Sequence, residues 1–415
     1  MAQGGAGVSK TRRKSVSLVY NGTEAYSELA QYLEQITYTD SVDESDMISL
    51  DLLDRDLKWR NAWIPKNGDV LIPSLTLEDW NYEGEKMTIQ CGSFIVDDFG
   101  FSSPPARGSI NGVSAPVDTG FKGTENTKTW EAATVQLIAA EIAGKYGLEL
   151  VYEAKDISVA KTEQDKKADS DFLRSICEKY GLGLKVFYNR LVIWDYSVYS
   201  ARTPVITITP DMCSKWSYRS SMQGTYTGAR VSYRNPKTKK TVDVMIGTEG
   251  RLYKTNQKAD SEADARLIGE AAIRNANRKE STMQLTLPPK FSLMATLTAQ
   301  LQGFGQMDGK YFIERVTHQI GRASYNMQAS LSRIPDGGAE GAAAPSGTGT
   351  GGTYIVQKGD NLWDLSQKFY GTPLRCKDLY NANKDKIEAE AKKHGKASSN
   401  RGYWIWPGTS LNIPS

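Results

Sequence analysis

Two histidines, four cysteines and a few carboxylate clusters are the side chains from which this 415-residue sequence could build acid–base, nucleophilic or metal chemistry. His318 sits in an alternating apolar segment, the pattern of a strand residue packed in a core or interface. His394 falls in a lysine-rich stretch and reads as solvated. Cys91, Cys177, Cys213 and Cys376 are far apart, with no CxxC pair and no histidine cluster beside them. That spacing predicts isolated reduced thiols, not a zinc site or a disulfide framework. A thiol nucleophile would need a histidine close by, and no sequence pattern supplies one. There is no GxSxG elbow, HExxH pair or Walker loop. Gly303-Phe304-Gly305 lacks the third glycine of a dinucleotide loop. Glycoside hydrolysis asks only for two carboxylates, for which Asp97, Asp98 and Glu163 are the candidates. Neighbouring strand residues face opposite sides, however, so Asp97 and Asp98 read as surface charge. The sequence therefore predicts no enzyme: no catalytic residues, no cofactor and no metal.

The elements that carry these residues belong to an ordinary globular composition, 39% hydrophobic and 24% charged. No apolar run reaches the about 18–20 residues that span a bilayer. Residues 1–14 lack the apolar core of a secretory signal, which leads us to expect a chain made in the cytoplasm. The basic run Lys10 to Lys14 reads as part of a flexible, solvated arm. The net charge is +3. Residues 354–415 hold ten basic and six acidic residues, a net +4, which leaves 41 basic against 42 acidic, a net −1, for the rest. A nearly neutral body argues against nucleic-acid recognition as its main task.

Along residues 15–115, Ser15–Tyr20, Asp46–Leu53, Asp69–Ile72, Glu85–Cys91 and Ser93–Phe101 read as strands. The second alternates Ile48, Leu50 and Leu52 with polar neighbours; the third stops at Pro73. A short helix is predicted over Ser27–Ile36. Residues 116–200 read as an α+β domain. Its helices are Trp130–Tyr146 and Ser170–Tyr180, the latter capped in the region Asp169-Ser170-Asp171 and stopped by Gly181. Its strands are Leu148–Tyr152 and a hairpin of Leu184–Tyr188 with Arg190–Asp195. Residues 201–335 return to short strands, with one helix over about 260–278. Residues 336–353 are glycine-rich and read as a flexible linker.

After this linker, Tyr354-Ile355-Val356, Lys358-Gly359-Asp360-Asn361-Leu362-Trp363, Leu379-Tyr380-Asn381-Ala382-Asn383 and Leu411-Asn412-Ile413-Pro414 follow in order. Residues 354–415 resemble a LysM domain. Asp360 is placed to cap the first helix, Leu362, Leu365 and Phe369 share one helical face, and Ile355 with Ile413 would seal the sheet. The resemblance implies a βααβ module with a shallow groove for N-acetylglucosamine polymers at Gly359, Asp360, Asn361 and Leu362 and at the loop before the last strand. Trp404 and Trp406 in that loop could stack on a sugar; packing is the plainer role. Asn361 replaces the usual Ser or Thr, and Asp385–Tyr403 is a longer, lysine-rich insertion beside the expected groove. Docking of a protein and binding of peptidoglycan both stay open.

The preceding residues resemble the late-control protein D family of tail hub proteins, which is also similar to the hub module of type VI secretion spikes. Three segments carry the likeness: Gly92 to Asp98 with Pro104-Pro105 and Ile110 to Ser114; Thr129-Trp130 through Asp169 to Leu173 and Leu191 to Ile193; and Gly303 to His318. The family implies an α+β, mainly β fold, with two tube-like β-barrel units around an α+β insert. It implies a homotrimer that adapts a hexameric tail tube to a trimeric spike. Its expected partners are tail tube protein, central spike protein and baseplate wedge proteins. Its expected place is the baseplate of a virion or phage-tail-like particle, assembled in the bacterial cytoplasm. The competing reading is a LysM-anchored wall-binding protein or peptidoglycan hydrolase.

Overall fold

The computed structural model describes residues 12–42, 44–80, 83–114, 120–187, 189–234, 239, 241–255, 257–289, 293–322, 324–335, 352–357, 360, 362, 365–366, 369, 376–395, 399 and 405–413. They fall into two compact units, one within 1–200 and 206–336, the other within 201–205 and 337–415. The predicted arm (residues 1–11 of it) and the predicted linker (residues 336–351 of it) lie outside the described residues.

The larger unit opens with β1 (Arg13–Tyr20), β2 (Thr23–Glu24), α1 (Tyr26–Leu29), β3 (Leu33–Ser41), β4 (Met47–Leu53), β5 (Val70–Glu78), β6 (Lys86–Gln90), β7 (Phe94–Ser102) and β8 (Arg107–Ser114). Next come α2 (Gly120–Gly123), β9 (Glu125–Thr134), α3 (Val135–Lys145), β10 (Glu149–Glu153), β11 (Ser158–Ala168), α4 (Asp169–Tyr180), β12 (Leu182–Phe187), β13 (Arg190–Asp195) and α5 (Tyr196–Ala201). It closes with β14 (Ile206–Ile208), β15 (Lys215–Ser220), β16 (Gly228–Arg234), β17 (Thr241–Gly247), β18 (Leu252–Thr255), α6 (Glu262–Asn277), β19 (Ser281–Leu287), β20 (Thr298–Leu301), β21 (Gly309–Gly321) and β22 (Tyr325–Arg333).

The fold is mainly β with an α+β insert. The strands before the insert and, apart from β16, β17 and β18, those after it belong to one 14-stranded sheet, ordered β15-β19-β22-β21-β3-β4-β8-β7-β5-β1-β2, with β6, β14 and β20 branching from it. The join is antiparallel pairing of β21 with β3, Arg315 opposite Ser41 through Gly321 opposite Gln35. Among the described strands the path is open and neither half closes into the expected barrel. Its core follows the period-2 rule: Ile48, Leu50 and Leu52 on β4 and Ile36 and Tyr38 on β3 are all buried, with polar neighbours pointing away.

The insert has its own core, where Ile138, Ile142, Phe172, Leu173, Leu191 and Ile193 meet. Val231, Tyr233, Val244, Ala265 and Ile268 join it, so α6 and the β17-β16-β18 sheet pack on the insert. Gly181 ends α4 at φ +68°, and a Cβ there would lie 2.8 Å from that of Ala271 on α6. Gly183 lies flat against Trp194, where a Cβ would come within 2.1 Å of the indole. Glycine is required at both positions.

Several elements differ from the sequence reading. The predicted helix Ser27–Ile36 is helical only over Tyr26–Leu29; Leu33 to Ile36 start β3, where both neighbouring strands pair with them. The strand expected to stop at Pro73 continues to Glu78, because Leu71, Leu75 and Leu77 keep one buried face and Pro73 sits opposite Leu18. Trp130 lies within β9, not a helix: α3 begins at Val135, where the Thr134 hydroxyl accepts the Leu137 N–H at 3.2 Å. Asp169 is the first residue of α4 and caps nothing; Gln164, Lys145 and Tyr146 hold its carboxylate instead.

The smaller unit holds β23 (Gly352–Ile355), α7 (Cys376–Lys393) and β24 (Ser410–Ile413). β23 and β24 pair antiparallel, Tyr354 opposite Leu411 and Ile355 opposite Ser410. Paired residues share a face, so Tyr354 and Leu411 turn to the core and Ile355 turns out, 59% exposed. Val356 takes the sealing position expected of Ile355, beside Leu362, Leu365, Leu379, Ile387 and Ile413.

Candidate functional site

In the smaller unit, side-chain bonds from the middle of α7 tie it to its neighbours. Asn383 is 2% exposed. Its amide donates to the Leu379 and Asn412 carbonyls at 2.8 and 2.7 Å, and its oxygen accepts the Asn412 N–H at 2.6 Å, tying α7 to β24. Glu388 accepts from Tyr380 at 2.9 Å, from the Ser399 N–H at 3.0 Å and from the Ser399 hydroxyl. Those hydrogen bonds, the ones from Ser399 first, hold its carboxyl below the usual range. The insertion is thereby pinned at Ser399. Asp360 accepts from the Gln357 N–H at 2.7 Å and from Tyr354 at 2.9 Å, fixing the turn after β23.

Of the candidate ligand residues, Asp360 is half-buried in that turn, Leu362 is 5% exposed and belongs to the core, and Trp406 is half-buried before β24. Gly359, Asn361 and Trp404 lie outside the described residues. His394, read as solvated, is exposed but stacked: its ring lies parallel to Trp406, centroids 4.9 Å apart and planes within 1°.

In the larger unit the least expected cluster is charged and buried. Lys185 on β12 bonds Asp40 on β3 and, at 2.9 Å, Asp46 just before β4; its side chain is 9% exposed. The Ala295 N–H donates to Asp40 at 2.8 Å and the Ser41 N–H to Asp46 at 3.1 Å. Burial opposes the charge on Lys185, but the two carboxylates outweigh it and hold the ammonium above the usual lysine range. A lysine held protonated in this way is a tie, not a nucleophile. Burial likewise raises Asp46, against the pull of Lys185 and with the push of Asp40. The cluster ties the insert to the large sheet, as does the bond from Ser114 to the Val186 carbonyl at 2.8 Å.

His318 stands next to this cluster, 1% exposed, stacked on Tyr38 and 2.9 Å from the Tyr325 hydroxyl. Burial pushes its ring down to about 4, against the opposing effect of Asp40. It is a packed, neutral histidine. Asp97 and Asp98 are both exposed beside a bulge in β7, and Glu163 pairs with Lys161 at 3.0 Å on an exposed strand. The thiols of Cys91, Cys177 and Cys213 are all raised, chiefly by burial, away from the thiolate form. The side chain of Cys376 lies outside those described. A cavity of 280 Å³ is bordered by Val42, Arg174, Cys177, Glu178 and Arg278. Among the described residues, no three His, Cys, Asp or Glu side chains converge on a common point, and no helix is long and apolar enough to cross a membrane.

Residues 354–389 match the LysM domain family. The uncharacterized protein YqbP of Bacillus subtilis (strain 168) is 40% identical over 62 residues, which is 15% of this chain and 27% of that protein. The fold is shared with two solved tail proteins. One is the 43 kDa tail protein of prophage MuSo2 from Shewanella oneidensis, 14% identical, with a TM-score of 0.57 over 77% of this chain and 98% of that one. The other is the tail protein from Neisseria meningitidis MC58, 12% identical, with a TM-score of 0.59 over 78% of this chain and 97% of that one.

Proposed function

We propose that this protein is the structural hub of a contractile phage tail or tail-like particle. In this reading it is a homotrimer of the late-control protein D type that joins a hexameric tail tube to a trimeric spike. Tube, spike and baseplate wedge proteins are its partners, and the baseplate of a particle assembled in the bacterial cytoplasm is its place. Its C-terminal LysM module docks baseplate proteins or peptidoglycan. The domain plan is a hub of two β-rich parts, 15–115 and 201–335, around 116–200, with the module at 354–415 after a linker.

The observation that carries the reading is the fold match to two tail proteins along almost their whole length, together with the LysM match at residues 354–389. The chemistry agrees with a non-enzymatic role. Lys185, His318, Cys91, Cys177 and Cys213 are held toward unreactive protonation states by burial and, for Lys185, ion pairing. Native mass spectrometry of the full chain tests the assembly. The reading expects a species three times the 45.8 kDa chain mass. A chain that stays monomeric with its spike protein present would contradict the homotrimer.

A further inference from the structure

The LysM module carries a ring stack that bears on which ligand it accepts. His394 follows α7 directly, its N–H bonded to the Glu390 carbonyl at 3.0 Å, and Gly395 turns the chain at φ +72°. Trp406 is held from the other side of the module. Its carbonyl accepts the Thr409 N–H at 3.2 Å and the Thr409 hydroxyl at 2.7 Å, and the Gly408 N–H reaches the Val356 carbonyl at 2.8 Å. Both backbones are thus fixed by separate contacts, Asn383 and Glu388 on one side and the Thr409 turn on the other. The rings meet in parallel, 4.9 Å apart.

An indole recognises a sugar by offering one flat face to the C–H side of a pyranose ring. An imidazole lying parallel to that face fills the same space, and two flat groups cannot share it. Both rings come from this one chain, so the contact forms without a loss of translational freedom, which a free sugar must bear. The insertion that departs from the usual LysM length is what supplies the histidine.

We propose that His394 is a specificity-determining residue of the module, an internal occupant that closes the Trp406 face to N-acetylglucosamine polymers. This rests on reading residues 354–415 as a LysM module. With His394 in place, the module loses one aromatic platform for wall glycan.

The test is calorimetric titration of the full chain with a soluble N-acetylglucosamine hexamer. Wild type, His394→Ala, His394→Phe and the double variant His394→Ala/Trp406→Ala are compared, with circular dichroism to confirm that each is folded. His394→Ala is expected to bind about tenfold tighter than wild type, the scale of one aromatic stack. His394→Phe, which keeps a ring on the indole, should behave as wild type, and the double variant should lose the gain. Unchanged affinity in His394→Ala, with wild type binding well, would overturn the closure while leaving glycan binding intact. A gain that survives loss of Trp406 would overturn it too. No binding by any variant would remove both the glycan role and the closure.

Discussion

The two aromatic and charged contacts that hold inserted segments in place, Lys185 in the body and His394 in the C-terminal module, differ in what water does to them. Lys185 lies between two carboxylates with its side chain 9% exposed. His394 lies on a half-buried tryptophan at the surface. A buried ion pair is worth little more than an apolar substitute while intact, but breaking it strands a charge where water cannot reach. A surface stack can be broken and re-formed at small cost. The tie in the body is thus costly to break, and the stack in the module is cheap to break.

The largest expected effect comes from breaking the body's side of this contrast. Lys185→Met should destabilise the larger unit by about 3–5 kcal/mol, because Asp40 and Asp46 lose their shared cation. Guanidinium unfolding should show the loss, and it should deepen as pH rises and Asp46 ionises. A second change, Asp46→Asn, should recover part of it.

The pH dependence of the wild type sharpens the same point. His318 falls from an ordinary 6.5 to about 4 in the folded state. Its contribution is therefore complete above the unfolded value and lost as pH falls from 6.5 through 4, on the order of 3 kcal/mol. His318→Asn should flatten that acid limb in thermal unfolding. Asp46 has the opposite sign. Its folded pKa is raised, so its contribution is complete at acid pH, below the unfolded value, and lost as pH rises through the folded one. Asp46→Asn should remove that decline and leave the acid limb in place.

Smaller effects follow. Gly183→Ala forces a methyl group to within 2.1 Å of the Trp194 ring and should cost about 1–3 kcal/mol in the same unfolding assay. His394→Ala, at the surface, should cost under about 1 kcal/mol, and its thermal midpoint should stay near that of the wild type.

Much of this fold can be read from the residues. Ile48, Leu50 and Leu52 announce a strand, and Phe172, Leu173, Ile176 and Cys177 announce the buried stripe of α4. Alternation fails for β11, where Lys161, Glu163, Asp165, Lys166 and Lys167 leave little apolar pattern; pairing with β9 defines that strand. The Leu33–Ile36 segment depends on partners far along the chain, Ile320 and Leu50 among them. The ionic joint was hidden for a similar reason. Nothing local links Lys185 to Asp40, and a lone lysine in a hairpin normally points to water. In the module, the motif located Asp360, Leu362 and Trp406 on the chain. It could not show that His394 meets Trp406, since that depends on how the insertion folds back.

The central claim is tested most directly by counting copies of the protein per purified tail particle, by quantitative mass spectrometry against the tube protein. The hub reading predicts about three copies per particle. About six copies, or a trace amount with the protein found in the cell-wall fraction, would contradict it.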